Sequence, residues 1–322
     1  MLMDRHGRKI SYLRVSVTDR CNLRCRYCMA EDPEFLPRQD LLSLEELARI
    51  CRAFVARGVR KIRLTGGEPL VRRNVLSLVA ELGGLIGPGG LDELTLTTNG
   101  AQLARFAPLL AQAGVRRINV SLDTLDPAAF NRLTRGGRVE AVIEGVLAAR
   151  DAGLAVKVNA VALEEQSAMD WDRLISWCGS LDLDLCLIEV MPMGTGESYG
   201  PRVSLARLRG ELEQRWTLTD SLHRTSGPAR YADVAETGTR IGFITPLSHG
   251  FCGSCDRMRL TCTGMVYPCL GREDGFDLGA ALRTDSTGAM LEVAIDDAVA
   301  GKALGHDFTH LPQPRPMSMT GG

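Results

Sequence analysis

The 322-residue sequence has few aromatic side chains, almost no net charge and no long apolar run. Aromatic residues make up only 5% of the chain, so there is no cluster of rings on which nucleic-acid bases could stack. A formal net charge of −1 gives no overall attraction to nucleic acid or to an anionic membrane. No stretch approaches the roughly 18 apolar residues of a transmembrane helix. We therefore expect neither a nucleic-acid partner nor a membrane span.

The N-terminal residues Met1–Lys9 are charged, but the apolar run of a secretory signal does not follow them. We therefore expect a cytoplasmic, globular protein of one or two domains. Ten cysteines are present. In a cytoplasmic chain of this length they indicate metal binding or thiol chemistry rather than a disulfide framework.

Short strand-like segments alternate with helical patterns through the first two thirds of the chain. The predicted strands are Ser11–Val17, Arg60–Leu64, Glu93–Thr97, Arg117–Leu122, Leu154–Val161 and Leu185–Val190. This alternation predicts a parallel α/β sheet with right-handed crossovers, either a full or partial barrel or an open sheet. In each case ligands bind beyond the C-terminal ends of the strands. The alternation ends near Met191, so we divide the chain into residues 1–191 and 192–322, with one helix, Leu205–Gln214, predicted early in the second part.

Helix boundaries carry recognisable signals at three places. Ser43 and Glu46 have the spacing of a capping box. Asp126 followed by Pro127 is typical of an N-cap and a first helical position. Gly153 ends an apolar helical pattern and is expected to be a left-handed C-cap. These signals support the predicted alternation of strands and helices.

Three cysteines, the first triad, follow the first predicted strand with the spacing C-x3-C-x2-C. They are Cys21, Cys25 and Cys28. Three thiolates at this spacing can converge on one soft metal centre. A cubane 4Fe–4S cluster held by three cysteines keeps one iron free for another ligand, whereas zinc needs a fourth ligand or an open catalytic position. Buried reduced cysteines and a zinc knuckle completed by a distant residue are the alternatives.

With Tyr27 before its third cysteine, this run resembles the signature of the radical S-adenosylmethionine superfamily. In that superfamily the free iron binds the amino and carboxylate groups of S-adenosylmethionine, which an electron from the cluster cleaves to a 5′-deoxyadenosyl radical. The Gly-Gly-Glu-Pro run ending at Pro69 resembles the turn that receives the methionyl amino group. Its glycines allow close approach of a backbone. Ser121 matches a ribose or carboxylate contact.

Three further cysteines, the second triad, have the spacing C-x2-C-x13-C. They are Cys252, Cys255 and Cys269. They could hold another cluster with one iron free, although Cys262 could be a fourth ligand and make a closed zinc or iron site. Arg257 and Arg259, between the ligands, could bind phosphates or a purine edge, or form a solvated strand face. The remaining cysteines are expected in the core: Cys51, Cys178 and Cys186.

The whole chain resembles the GTP 3′,8-cyclase family of molybdenum cofactor biosynthesis. The resemblance is carried by both triads, the Gly-Gly-Glu-Pro run, Thr97–Gly100, Asn119–Thr124, the Arg-x-Arg pair and the terminal Gly-Gly. It implies an α/β fold, a partial (βα)6 TIM-type barrel carrying one cluster, with a C-terminal α+β layer carrying the second.

The resemblance also implies an activity. The family is a lyase family that converts GTP to (8S)-3′,8-cyclo-7,8-dihydroguanosine 5′-triphosphate. The radical takes the ribose 3′ hydrogen, and the C3′ radical attacks guanine C8. The implied cofactors are two 4Fe–4S clusters and S-adenosylmethionine. The implied partners are GTP, an external electron donor and a downstream cyclic pyranopterin monophosphate synthase, with the chain a monomer or homodimer.

Residue roles follow from the same resemblance. The two triads hold the two clusters. The S-adenosylmethionine contacts are Tyr27 through its backbone, Gly67, Ser121 and Met191. The GTP contacts are Arg14, Arg63, Thr97, Lys157, Arg257 and Arg259. Arg257, Arg259, Gly321 and Gly322 are assigned to catalysis, because in the family the tail enters the active site. The tail from His306 onward is expected to be extended and, at about 3.3 Å per residue, reaches at most about 53 Å.

Two other functions are compatible with the residues. One is a radical enzyme with an auxiliary cluster that modifies a peptide. The other is a zinc-stabilised module that binds RNA or protein, although the neutral charge and the scarcity of aromatic residues disfavour it. The polar strand residues matched to GTP could also be ordinary exposed charges. In a barrel filled by apolar side chains, however, inward polar groups need a reason, and a triphosphate would be one.

Overall fold

The computed structural model describes residues 1–194, 203–225, 227–248, 250–308 and 315–321. Six parallel strands form the centre of one sheet. They are β1 (Tyr12–Ser16), β2 (Lys61–Thr65), β3 (Glu93–Thr98), β4 (Arg117–Ser121), β5 (Ala155–Val161) and β6 (Asp184–Ile188). Each strand pairs in parallel with the next one along the chain. All six predicted strands are confirmed, with every boundary within two residues of the predicted one.

Helices connect the successive strands and pack on the outer face of the sheet. They are α1 (Leu44–Ala56), α2 (Val75–Gly83), α3 (Leu103–Gln112), α4 (Pro127–Thr134), α5 (Val139–Asp151) and α6 (Ala168–Ser180). The predicted boundary signals are confirmed. Ser43 and Glu46 form the capping box of α1, and Asp126 caps α4. Gly153 follows α5 with φ +78°, a conformation that glycine adopts without strain.

Strands from the C-terminal third extend both edges of this sheet. They are β7 (Leu218–Asp220), β8 (Arg230–Val234), β9 (Arg240–Ile244), β10 (Arg257–Leu260), β11 (Met265–Tyr267) and β12 (Phe276–Asp277). β10 pairs in parallel with β1, and β9 pairs in parallel with β6. Among the described residues the order is β12-β11-β10-β1-β2-β3-β4-β5-β6-β9-β8-β7. This sheet ends at β7 and β12 without closing, so the predicted partial barrel with a C-terminal α+β part is confirmed.

Four more helices complete the described part of the chain. They are α7 (Leu205–Leu212), α8 (Leu278–Thr284), α9 (Ala289–Ala300) and α10 (Met317–Thr320). α7 confirms the predicted helix, whereas α10 shows that the described end of the tail is a helical turn and not extended. The division at residue 191 stays a prediction, since strands from both sides of it share one sheet. No helix in the described ranges combines the length and apolar character needed to cross a bilayer.

Side chains alternate between two environments along the central strands. On β1, Leu13 belongs to the apolar core, whereas Tyr12 and Arg14 line an interior cavity. On β5, Val158 is in the core and Lys157 lines the cavity. Burial of one leucine or valine stabilises the fold by about 1.5–3 kcal/mol. Because the outer face supplies this stabilisation, the inner face can carry polar groups.

Candidate active site

One cavity of about 340 Å³ lies inside the barrel and extends to the C-terminal ends of its strands. The first triad lies on the loop that follows β1, and the second triad lies on the segments before β10 and after β11. All six of these cysteines line the cavity. All ten cysteines of the chain are free thiols. Two sets of potential metal ligands therefore share one chamber.

The spacing of the thiols distinguishes between kinds of metal centre. In the part of the chain that the structure describes, no three His, Cys, Asp or Glu side chains form a group that could hold a metal ion. Thiolates on one zinc ion lie only about 4 Å apart, since Zn–S bonds are about 2.3 Å long. Around a cubane cluster they stand farther apart, because each thiolate binds a different iron. Each triad offers three thiols that line the cavity, which is the donor set of a cubane cluster with one iron left open.

The acidity of the thiols differs between the two triads. Burial, together with the neighbouring thiols and Asp123, raises the pKa of Cys25 well above its ordinary value. Burial likewise raises the pKa of Cys28 to about 12. Burial also acts to raise the pKa of Cys255, but the Lys302 ammonium and two arginines lower it below its ordinary value. Burial raises the pKa of Cys269 in the second triad as well, so each triad contains thiols that must lose a proton when a metal binds.

A buried carboxylate organises the polypeptide beside Cys21. Glu68 accepts hydrogen bonds from the backbone N–H groups of Leu70 (2.9 Å) and Asn99 (2.7 Å) and from the Thr98 hydroxyl (2.8 Å). Burial raises the pKa of Glu68 to about 7. The Asn99 side chain in turn donates to the Cys21 sulfur at 3.6 Å. Glu68 thus fixes the turn that presents a hydrogen-bond donor to a thiol of the first triad.

The four residues matched to S-adenosylmethionine contacts all line the cavity with the first triad: Tyr27, Gly67, Ser121 and Met191. The Tyr27 hydroxyl donates to Asp123 at 2.9 Å, which anchors the triad loop to the end of β4. A Cβ atom on Gly67 would lie 2.4 Å from the Arg20 carbonyl oxygen. Gly67 is therefore required by the close packing of this turn against the Arg20 backbone, whether or not a ligand also approaches it.

A row of arginines crosses three neighbouring strands on the cavity side. The strand register places Arg14 directly opposite Arg63 on one side and Arg259 on the other. Burial lowers the pKa of Arg14 well below its ordinary value, and repulsion from these and other arginines lowers it further. Burial and the Arg257 charge lower the pKa of Arg259 to about 10. Like charges in such a row repel one another, so the row favours a polyanionic ligand.

Several polar atoms of this wall lack hydrogen-bond partners among the described residues. They are Arg14 Nε and Nη2, Arg63 Nε, Thr97 Oγ1, Asn119 Oδ1, Asn159 Oδ1 and Arg257 Nε. Buried polar groups are costly unless they are hydrogen-bonded. The register continues the polar wall from Thr97 to Asn119 and Lys157. All of these residues line the cavity, so the unsatisfied donors and acceptors face one shared space.

The C-terminal tail reaches this wall. The Gly321 carbonyl accepts a hydrogen bond from Arg259 Nη1 at 3.1 Å. Gly321 has φ +74°, and a Cβ atom there would lie 1.9 Å from the Thr65 hydroxyl oxygen. Only glycine fits this position, because both the backbone conformation and the space exclude a side chain. Gly322 lies outside the described residues.

Arg315 fastens the start of the described tail segment to the loop after the second triad. Its guanidinium pairs with Glu273 at 2.9 Å and donates to the carbonyls of Leu270 and Arg272. It also stacks on the Tyr267 ring at 3.7 Å. Charge-assisted hydrogen bonds of this kind contribute about 1.5–3 kcal/mol each.

We expect Arg315→Ala to release the tail from the cavity. The amide of Gly321, which donates to the Met317 carbonyl, should exchange its hydrogen at least about tenfold faster, because the loss of even one charge-assisted hydrogen bond corresponds to that factor. Hydrogen exchange followed by mass spectrometry measures this effect. Arg283→Ala, which removes an exposed pair with Glu46, is the matched control. Unchanged exchange in the tail of Arg315→Ala would contradict the anchoring role.

The other cysteines occupy different surroundings. Cys262 is fully buried and does not line the cavity, and its carbonyl accepts a hydrogen bond from the Leu42 backbone. This placement disfavours the fourth-ligand alternative. Cys51 and Cys178 are core residues of α1 and α6, as predicted. Cys186 is also buried, but it lines the cavity near Tyr231, to whose hydroxyl it lies 3.8 Å away.

Some residues of the site have no assignment from the sequence. Asn119 and Asn159 occupy inward positions of β4 and β5, and the alternation along those strands was a signal that could have found them. Tyr231 accepts a short hydrogen bond from the Lys157 ammonium. Its strand, β8, was not among the predicted strands, so no sequence pattern indicated that Tyr231 lies beside Lys157. Lys302 was also missed, because it is far from both triads along the chain and only the fold brings it next to the second one.

Comparisons with known proteins agree with this geometry. The family model for the radical SAM superfamily matches residues 15–178, and the one described as Molybdenum Cofactor Synthesis C matches residues 183–308. Curated proteins named GTP 3′,8-cyclase resemble the chain throughout its length. The one from Rhodopseudomonas palustris is 56% identical over all of this chain and 96% of its own. The one from Rhizobium meliloti is 54% identical over all of this chain and 94% of its own.

Solved structures support the fold. Streptococcus suis SuiB bound to S-adenosylmethionine superposes with a TM-score of 0.64 at 19% identity, covering 91% of this chain and 67% of SuiB. At this identity the likeness concerns the fold alone. The family models and the full-length relatives carry the assignment: the chain belongs to the radical SAM superfamily and, within it, to the GTP 3′,8-cyclase family.

Proposed function

We propose that the chain converts GTP to (8S)-3′,8-cyclo-7,8-dihydroguanosine 5′-triphosphate, the first step of molybdopterin cofactor biosynthesis. One observation carries the proposal. A row of arginines, in which Arg14 and Arg63 are buried and have unsatisfied donor atoms, lies in one cavity with two triads of free thiols. A triphosphate would satisfy those donors and offset the repulsion along the row.

The first triad would hold a 4Fe–4S cluster that has one iron free for S-adenosylmethionine. When bound, the cluster and S-adenosylmethionine would supply a 5′-deoxyadenosyl radical, which takes the 3′ hydrogen of GTP and becomes 5′-deoxyadenosine. C3′ would then bond to guanine C8, and one further electron from the external donor and one proton from solvent would complete the dihydro product. Tyr27, Gly67, Ser121 and Met191 would position S-adenosylmethionine. Asn99 would donate a hydrogen bond to the Cys21 thiolate, which is a recognised means of tuning a cluster.

The second triad would hold another 4Fe–4S cluster. Because its three thiols line the same cavity, an iron without a protein ligand could bind the guanine. The GTP contacts are distributed along the polar wall: Arg14, Arg63, Thr97, Lys157, Arg257 and Arg259. Their role is to bind and orient the substrate, so that C3′ faces the first triad and the base faces the second. Correct orientation of reacting groups is a large part of catalysis.

Arg257, Arg259 and the tail would take part in catalysis by enclosing the substrate. Arg259 contacts the tail through the Gly321 carbonyl and neighbours Arg14 in the wall. Enclosure keeps water from a reactive intermediate. Gly322 is included in this proposal because it follows Gly321.

The reaction requires partners. An external electron donor would reduce the first cluster, because the thiols and side chains of the cavity supply no electron source. The product retains a triphosphate and a strained ring system, so a cyclic pyranopterin monophosphate synthase would act next. We propose that the chain works as a monomer or homodimer.

Metal analysis and a turnover assay test the proposed function. Anaerobic reconstitution should give about eight irons per chain, since each cubane contains four. The protein should then consume GTP in the presence of S-adenosylmethionine and a reductant, while peptide substrates should be inert. GTP should also change the electron spin resonance signal of the second cluster. About four irons per chain, or bound zinc, would contradict the two-cluster site.

A further inference from the structure

Lys302 is a buried lysine two residues beyond the end of α9, with only 1% of its surface exposed. Its ammonium lies beside the second triad, and Lys302 is not among the residues that line the cavity. It donates to the carbonyl of Arg257 at 2.7 Å and to that of Pro268 at 2.5 Å, and it lies 3.7 Å from the Cys255 sulfur. One nitrogen atom thus joins the segment after Cys255 to the residue before Cys269.

The positive charge of Lys302 forms no ion pair with a carboxylate of the described residues. None of the ion pairs formed by described residues includes this side chain. Arg8 provides a contrast, because it also supports the second triad by donating to the Cys252 carbonyl at 2.7 Å, yet it is paired with Asp4. A buried ammonium without a counter-ion is costly. A group that supplies negative charge at the second triad would offset that cost.

Three thiolates on a cubane cluster give the whole assembly a negative charge, which increases on reduction. Net charge and hydrogen bonds to the sulfurs are the features by which a protein sets the reduction potential of such a cluster. Lys302 supplies a positive charge and a hydrogen-bond donor at the Cys255 sulfur. Its two carbonyl contacts also fix the separation of the chain segments that carry Cys255 and Cys269.

We propose that Lys302 is a positioning residue of the second cluster, which holds the two chain segments that carry its cysteines in place and makes the cluster easier to reduce. The proposal rests on the proposed function in one respect, namely that a 4Fe–4S cluster occupies the second triad. The contacts of Lys302 differ from those of the arginines proposed to bind GTP, because its ammonium joins the two cysteine-bearing segments through their backbone carbonyls.

The test uses the full chain with Cys25→Ser, so that the second cluster alone is observed. This parent should hold about four irons. A redox titration with dithionite, followed by electron spin resonance, gives the midpoint potential. Lys302→Met should shift the potential to a more negative value or lose the iron, whereas Lys302→Arg should retain the cluster close to the parent potential. Arg57→Met, which loosens the packing of α9 at Glu292 and Asp296, should leave the potential unchanged.

A second measurement leaves Lys302 in place, in case the methionine variant does not fold. Lysine labelled with 15N should show hyperfine coupling to the reduced second cluster in pulsed electron spin resonance, and the coupling should vanish in Lys302→Arg. An iron-free parent would overturn the second-cluster assignment itself. A parent with four irons, an unchanged potential in Lys302→Met and no lysine coupling would overturn only the role of Lys302.

Discussion

Cys25→Ser is expected to abolish the reductive cleavage of S-adenosylmethionine, with 5′-deoxyadenosine falling to the level of a protein-free control. The Cys25 side chain lines the cavity together with the other two thiols of its triad. A serine hydroxyl is a poor ligand for iron, so the first cluster would lose one of its three protein ligands.

Chromatographic quantification of 5′-deoxyadenosine measures the effect, together with an iron count. The variant should keep about four irons, because the second triad is untouched. Cys178→Ala is the matched control, since that thiol is buried in α6 away from the cavity. Cleavage at an appreciable rate in Cys25→Ser, or normal iron content, would show that the first triad is assigned wrongly.

Arg259→Met is expected to weaken GTP binding about 10- to 100-fold while sparing the cleavage of S-adenosylmethionine. Charged hydrogen bonds contribute about 1.5–3 kcal/mol, which corresponds to that range in Kd. The same substitution should stabilise the protein in the absence of GTP. Burial lowers the pKa of Arg259 from 12.5 to about 10, so holding its charge in the fold costs roughly 3 kcal/mol. Since the bond to Gly321 is also lost, we expect a net gain of about 2 kcal/mol.

Isothermal titration calorimetry with GTP and thermal unfolding without it measure the two effects. Arg240→Met is the control, because Arg240 lies on β9 and its charge is already paired with Asp184 at 2.8 Å. Arg240→Met should change neither the free energy of GTP binding nor the free energy of unfolding by more than about 1 kcal/mol. Normal GTP affinity in Arg259→Met would refute the assignment of this arginine, and a loss of stability would refute the view that the row is repulsive.

Much of the barrel could be predicted because its signals are local. The inward and outward alternation on β1, with Leu13 in the core and Arg14 in the cavity, is visible in consecutive residues. The capping box at Ser43 depends on contacts only three residues apart. The cysteine spacing also predicted the two triads, since ligands from one loop must lie near one another in the sequence.

The C-terminal part could not be predicted in the same way. β7 has only three residues. The place of β7, β8 and β9 in the sheet depends on the pairing of β9 with β6 and of these three strands with one another, rather than on their own pattern. Lys302 contacts residues more than 30 positions away along the chain, and Arg315 contacts residues more than 40 positions away. No local spacing marks such contacts, so their residues resembled ordinary surface charges until the fold brought their partners together.

The pairing of β1 with β10 affects when the site forms during synthesis. β1 is the first strand of the sheet to leave the ribosome, and its second partner, β10, follows only when most of the chain has been made. Domains generally fold from their N-terminal end as they are synthesised. Until β10 arrives, one edge of β1 is unpaired, and Arg14 has a neighbour on one side only. A ribosome-bound fragment that ends after β6 would therefore contain the first triad without the second, and the nucleotide site would be among the last parts of the nascent protein to mature.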